Sequence, residues 1–313
     1  MTKEVEFVRF NSYRNFGVEI EVGNEVCPDK IAYSIIKSSH CKDVKVFDWN
    51  QSINNSDWHV KGDASCGMGE EGGWEIASYV GSGYLDALDI SKTASFLKVK
   101  PGAKINRNCG LHVHVNVEDF SVTNMAILLA YWMKIENTLS FAVPAWRVDG
   151  VFCQSINKLQ THYKRSEYSP YYFWNINRPR NLSAHDNFYK MFTLNLVNYE
   201  SSLQGLIDRK TVEFRMPEGT LNESDIINWI RLFVTFVDNC KKKLHMPSNT
   251  ISVSLSETLN ILGLSHKEKF YILSKGMFKT KSWLLRRIRQ QAFKRKSDRL
   301  HKSSLKFLDF MEH

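Results

Sequence analysis

Four short stretches of this chain place acidic or histidine residues at every second position, with apolar residues between them. In Asn15–Gly23 (NFGVEIEVG), Phe16, Val18, Ile20 and Val22 alternate with Glu19 and Glu21. In Leu111–Val117 (LHVHVNV), Leu111, Val113, Val115 and Val117 alternate with His112, His114 and Asn116. Trp74 and Ile76 flank Glu75, and Val212, Phe214 and Met216 alternate with Glu213 and Arg215. A period of two is the signature of a half-buried strand, because successive side chains point to opposite faces. If the four strands share a sheet, its polar face carries four Glu, two His and one Arg.

So many carboxylates on one face repel each other unless cations neutralise them. Carboxylate oxygens with an imidazole suit Mg²⁺ or Mn²⁺ and not a thiolate-bound zinc. Taken singly, each pair also fits the solvated face of an amphipathic strand, and Glu213 with Arg215 also fits a cross-strand ion pair. Their joint occurrence favours a site.

The rest of the first 265 residues reads as alternating strands and helices without a repeat. Helices are expected over Asp29–Ser39 after Pro28, over Tyr84–Leu97, over Val122–Val143 behind an N-cap at Ser121, and from Glu223 to Lys243. Further strands are expected at Val44–Trp49, Trp58–Lys61 and Met191–Val197. The GMGEEGG segment (67–73) reads as a turn or a flap over substrate, and residues 145–190, which include Tyr171–Trp174, show no periodicity. From Leu255 onward the pattern is helical, and Ser282–Lys296 sets Trp283, Leu284, Ile288 and Ala292 on one stripe among Arg and Lys.

Charge divides the chain. The formal net charge is +9, from 42 Lys+Arg against 33 Asp+Glu. Residues 266–313 hold 14 basic and 4 acidic residues, a net of +10, which leaves −1 for residues 1–265. The expected organisation is therefore a catalytic domain over 1–250 and a basic helical extension over 251–313. The extension is a candidate contact for nucleic acid or an acidic protein through residues 266–313. The longest apolar run, Met125 to Met133, is about half of a membrane span. The first 25 residues lack the apolar core of a signal peptide, so a cytoplasmic protein with no membrane span is expected. The six cysteines form no C-x-x-C pair and read as reduced packing residues.

The fragments FGVEIEV, WHVKGDAS with GGWEIAS, NCGLHVHV and TVEFRMPEGTL, in that order, resemble the amidoligase family. That family belongs to the carboxylate–amine ligase superfamily of glutamine synthetase and glutamate–cysteine ligase. The resemblance covers roughly residues 15–235 and implies an α+β fold. Its expected form is a curved antiparallel sheet, a funnel like that of glutamine synthetase, with helices on the convex side and the C-terminal helices as an appendage.

The resemblance also implies cofactors, ATP with Mg²⁺ or Mn²⁺, and roles for particular residues. Glu19, His112 and Glu213 would hold one metal, Glu21 and Glu75 a second, with Asp63 assisting. His114 and Arg215 would meet the ATP phosphates, with Arg147, Arg178 and Arg180 as further candidates. Arg215, Glu75 and Asp63 are the catalytic candidates, the two carboxylates as proton acceptors. The implied reaction joins a carboxylate and an amine substrate through an acyl phosphate, in which Arg215 and two metals stabilise the transferring phosphoryl group. No P-loop and no G-x-S-x-G elbow is present. Two other readings stay open on the residues themselves. One is a metal-dependent phosphoesterase or nuclease using the same face. The other is a degenerate relative that binds through its basic tail.

Overall fold

The computed structural model describes residues 12–23, 26–47, 57–68, 71–148, 150–151, 153–159, 169–179, 188–249, 252–264 and 274–297. It is a mixed fold with an open, mostly antiparallel sheet. The chain forms two compact units, Met1–Val113 with Gly219–Thr235 and Leu264–Lys281, and His114–Glu218 with Phe236–Gly263 and Ser282–His313.

The first unit contains β1 (Asn15–Val22), β2 (Val44–Phe47), β3 (Trp58–Met68), β4 (Glu71–Ala77), β5 (Gly81–Ser82) and the start of β6 (Leu111–Asn116). The strands follow the order β2-β3-β4-β1-β6, and β5 pairs with β1. Only β2 and β3 run parallel in this set of registered pairs. Helices α1 (Pro28–Ser38) and α2 (Gly83–Val99) pack on each other, and α1 also packs on β2 and β3. Proline at the first helical position sets where α1 begins, as its missing N–H would have had no partner there.

Register explains why this sheet has two unlike faces. Ile76 on β4 lies opposite Ile20 on β1 and Val60 on β3, and all three are fully buried. One residue earlier, Glu75 lies opposite Glu21 on β1 and Lys61 on β3. A slip by one residue would exchange the two rows, so burial of the apolar row fixes the polar one.

The second unit holds the end of β6, β7 (Leu194–Asn195) and β8 (Thr211–Phe214), in the order β6-β8-β7. Around them lie α3 (Val122–Leu139), α4 (Ala145–Val148), α5 (Pro170–Asn177), α6 (Val197–Leu203) and α8 (Leu255–Ile261). Helix α3 opens with a capping box: Ser121 accepts from the Asn124 N–H, and the Asn124 side chain accepts from the Ser121 N–H. The core is aromatic, with Trp132, Phe214 and Phe236 meeting at centroid distances of 5.0, 5.7 and 6.1 Å. Helices α7 (Glu223–Lys241) and α9 (Ser274–Ser297) contribute residues to both units.

Several sequence expectations need correction. Strand β3 runs to Met68 and β4 starts at Glu71, so most of the GMGEEGG segment is strand; residues 69–70 lie outside the described set. The strand expected over Met191–Val197 shrinks to Leu194–Asn195 and gives way to α6. The aperiodic middle contains α5, where Phe173 and Trp174 are buried and Tyr171 and Tyr172 are exposed. The last two residues of the strand expected over Val44–Trp49, and residues 265–273 and 298–313 of the expected extension, lie outside the described residues.

Helix α9 has the expected stripe, with Trp283, Leu284, Ile288 and Ala292 buried. It also buries Gln291 and, against the pattern's assignment of Arg and Lys to the solvated face, Arg287 and Arg295. Arg287 donates to the Ala142 carbonyl and pairs with Glu218; Arg295 donates to the carbonyls of Ser140 and Val143. An Arg can cover apolar surface with its stem and satisfy carbonyls with its head. Part of the helix's positive charge is thereby internal. No helix of the described residues is long and apolar enough to cross a membrane.

Candidate active site

In the first unit, β1, β3, β4 and β6 bring together five of the residues expected from the sequence: Glu19, Glu21, Asp63, Glu75 and His112. Glu19 and Glu21 share the polar face of β1, and Glu21 faces Glu75 directly across the strand pair. Like charges placed opposite each other destabilise a sheet. Glu75 is correspondingly pushed well above the usual carboxylate range, first by Glu19, then by burial, Glu21 and Asp63, while Lys61 acts in the other direction.

The His112 imidazole lies between two of these acids. Its Nδ1 is 3.1 Å from Glu19 Oε2, and its Nε2 is 3.4 Å from Glu21 Oε1. Glu21 is held in place at the same time, since its carboxylate accepts from the Gly110 N–H and its own N–H donates to the Gly110 carbonyl. The ring is fully buried against β1. A ring with an acid at each nitrogen needs a proton or a metal on both sides to satisfy both acids.

A second convergence was not visible in the alternation. Glu21, Asp63 and the Cys66 thiol each present a ligand atom within 4.8 Å of the others. The β3–β4 register shifts between Asp63 and Met68, and an irregularity of this kind re-aims side chains out of strict alternation. Asn106 and Asn108 hold the irregular segment, donating to the Cys66 and Gly67 carbonyls at 2.7 and 2.9 Å. Gly73 lets the strands close up, because a Cβ there would stand 2.4 Å from the Val22 carbonyl oxygen and 2.6 Å from Cys66 Cβ. The Cys66 thiol is driven strongly toward its protonated form by its hydrogen bond with Cys109, then by burial and by Glu21 and Asp63.

In the second unit, Glu213 lies on β8 and Arg215 just past its end, since the strand expected to reach Pro217 stops at Phe214, and the two side chains form an ion pair. Asn195, directly opposite Glu213 on β7, donates to its other oxygen at 2.6 Å. The Arg215 backbone is fixed on both sides: its N–H donates to Thr193 at 2.9 Å, and its carbonyl accepts from Arg147 at 3.0 Å and Cys153 at 3.2 Å. Arg147, expected as a phosphate candidate, is buried and braces Arg215 from α4. His114 follows His112 by two residues on β6 and is partly buried. Arg178 pairs with Glu200 at 2.6 Å, and Arg180 lies outside the described residues.

The first unit's donor set of carboxylates and an imidazole fits a hard divalent cation, and the upward shift of Glu75 fits a site lacking the charge that would balance it. All six cysteines are free; Cys66, Cys109, Cys153 and Cys240 are buried, as expected of packing residues, whereas Cys27 is exposed and Cys41 half-buried. The model of the family described as "Putative amidoligase enzyme" matches residues 12–237. Among curated proteins, none matches the chain.

Proposed function

Because this chain belongs to the amidoligase family, we propose that it is an ATP-dependent ligase joining a carboxylate to an amine through an acyl phosphate. The observation that supports this most directly is the Glu21–Glu75 cross-strand pair, with Glu19 and His112 beside it. A plain solvated strand face has no reason to oppose two acids and bury a histidine against two of them. A face that receives cations does.

In this reading, Glu19 and His112 would hold one divalent cation and Glu21 and Glu75 a second, all in the first unit. The cations would supply charge neutralisation for ATP and for the substrate carboxylate. Everything else falls to the protein's own groups. Arg215 meets the transferring phosphoryl group, and its fixed backbone and its pairing with Glu213 aim it before substrate arrives. Arg147 acts by bracing Arg215, and His114 donates to phosphate. Asp63, partly exposed and already accepting from the Ser65 N–H, takes the proton that the attacking amine must lose. The carboxylate becomes reactive because phosphate leaves where oxide could not.

The test is amine-dependent ADP release. His112→Ala and Glu213→Ala are each expected to lower it by about 10²-fold or more. Release at the wild-type rate in His112→Ala would overturn the metal assignment, and in Glu213→Ala the role given to the Glu213–Arg215 pair. Phosphodiester cleavage without ATP would replace the ligase reading altogether.

A further inference from the structure

Helix α9 carries nine Lys and Arg and no Asp or Glu. In the second unit its cations divide between two faces. Arg287 and Arg295 turn inward, to Glu218 and to backbone carbonyls. Arg286, Arg289 and Lys294 are exposed, as are Gln290 and Phe293. At 3.6 residues per turn these five positions fall within about 140° of arc and about 12 Å of length, with Phe293 near the middle. A single exposed ring is ordinary on a protein surface. Phe293 differs in its setting: it is 70% exposed, stands one turn from Arg289 and next to Lys294, and has no carboxylate anywhere on its helix.

An occupant of this face has to be anionic, to complement three cations, and has to offer a flat apolar surface to the ring. A membrane surface fits poorly. The apolar stripe that would enter it, Trp283, Leu284, Ile288 and Ala292, is already buried in the protein, which leaves one ring. An acidic protein fits poorly too, because a specific protein interface has an apolar core of several residues inside its polar rim. A strand of nucleic acid meets both demands. Its phosphates pair with the cations, and any unpaired base presents a face to an aromatic ring. A duplex has the phosphates but keeps its base faces stacked inside.

We propose that the outer face of α9 binds single-stranded nucleic acid, with phosphates on Arg286, Arg289 and Lys294 and one base stacked on Phe293. The inward cations hold the helix in place, and the outward ones are left to a partner. The inference uses no residue of the ligase reading and stands or falls independently of it.

Fluorescence anisotropy of a labelled oligo(dT) of about 20 nucleotides, titrated with the full chain between about 50 and 200 mM salt, measures the binding. Affinity is expected to fall with salt with a log–log slope of at least about 2 in magnitude, three contacts at roughly 0.7 each. The same strand annealed to oligo(dA) should bind at least about fivefold more weakly despite its higher charge, because its bases no longer stack on the ring. Phe293→Ala should weaken the single strand by a similar factor and leave the duplex unchanged. Arg286→Ala combined with Arg289→Ala should weaken both and reduce the slope by about 1.4, whereas Lys at both positions should keep the slope. All these side chains are exposed, so far-ultraviolet circular dichroism should not change. The proposal falls if oligo(dT) does not bind or if the double Ala variant binds it like wild type. It falls equally if the duplex or a polyglutamate of equal length binds as tightly as the strand. Binding to phosphatidylserine vesicles without binding to oligo(dT) would make the face a membrane contact instead.

Discussion

Glu136 and Glu75 are both acids pushed upward by their surroundings, yet their neighbourhoods are opposite in kind. Glu136, in the second unit, is fully buried on α3, and burial raises it. Four groups then work against that rise: the hydroxyls of Ser155 and Thr193 and the N–H groups of Ile156 and Asn157 all donate to it. The Asn157 side chain donates as well, at 2.7 Å. Such a carboxylate ties α3 to two loops and has a structural role. Glu75, in the first unit, has Glu19, Glu21 and Asp63 as its principal neighbours in charge, with Lys61 acting against them. The contrast separates a buried acid that folding has already satisfied from one that needs a cation from outside.

If that distinction is right, removing the two acids should have opposite consequences. Glu136→Ala leaves at least four donors inside the second unit without an acceptor. It is expected to lower stability by about 4 kcal/mol, each bare donor costing roughly 1–3 kcal/mol before relaxation. Denaturant unfolding gives the value. A loss below about 1 kcal/mol would mean that Glu136 is not the structural half of the pair.

A second variant takes from a largely buried acid the cation that the folded chain gives it. Glu218 has Arg287 for one oxygen, and its other oxygen is buried without a hydrogen-bond partner. Arg287→Ala takes away that ion pair and the donor to the Ala142 carbonyl together. The expected loss is about 2 kcal/mol, below the figure for a fully buried pair because both side chains keep some exposure. Reversing the exposed cations Arg286, Arg289 and Lys294 to Glu should change stability by less than about 0.5 kcal/mol each. If Arg287→Ala proved as silent as these, the Arg287 contacts would contribute nothing to holding α9 in place.

The same contrast shows how much the sequence made legible. Strict alternation located β1 and β6, and with them Glu19, Glu21 and His112, because one apolar row buried on a sheet dictates the other. Pro28 and Ser121 marked the starts of α1 and α3, where local chemistry decides the boundary. Helices α5 and α6 were missed because each is short: a single run of adjacent buried residues, Phe173 and Trp174 in one and Tyr199 to Ser201 in the other, anchors it, and one such run sets no period. Cys66 was missed because a register shift breaks the alternation that would have pointed to it. The burial of Arg287 and Arg295 was missed because charge patterning cannot tell a solvated cation from one that donates to a carbonyl. Glu200 and Arg178 are 22 residues apart in a segment without periodicity, so only the folded chain brings them together.

The effect expected at Glu75 is smaller than that of Arg287→Ala and more discriminating, because it has a sign. Glu75 titrates in the folded chain above its ordinary value of 4.5. Between those two values the folded state holds a proton that the unfolded state has lost, so stability falls as pH rises through that window. Thermal melts of the metal-free protein from pH 5 to pH 8 should therefore show a declining midpoint. Glu75→Gln cannot lose a proton and removes one of two directly opposed charges. It should flatten the decline and raise stability at pH 8 by about 1 kcal/mol. Adding Mg²⁺ should raise the wild-type midpoint at pH 8 more than at pH 5, since a cation replaces the proton only where the proton has left, and should do less for the variant. A Glu75→Gln protein that melts lower than wild type at pH 8 without metal would place Glu75 beside Glu136 as a structural acid. The first unit would then hold no cation site at that position.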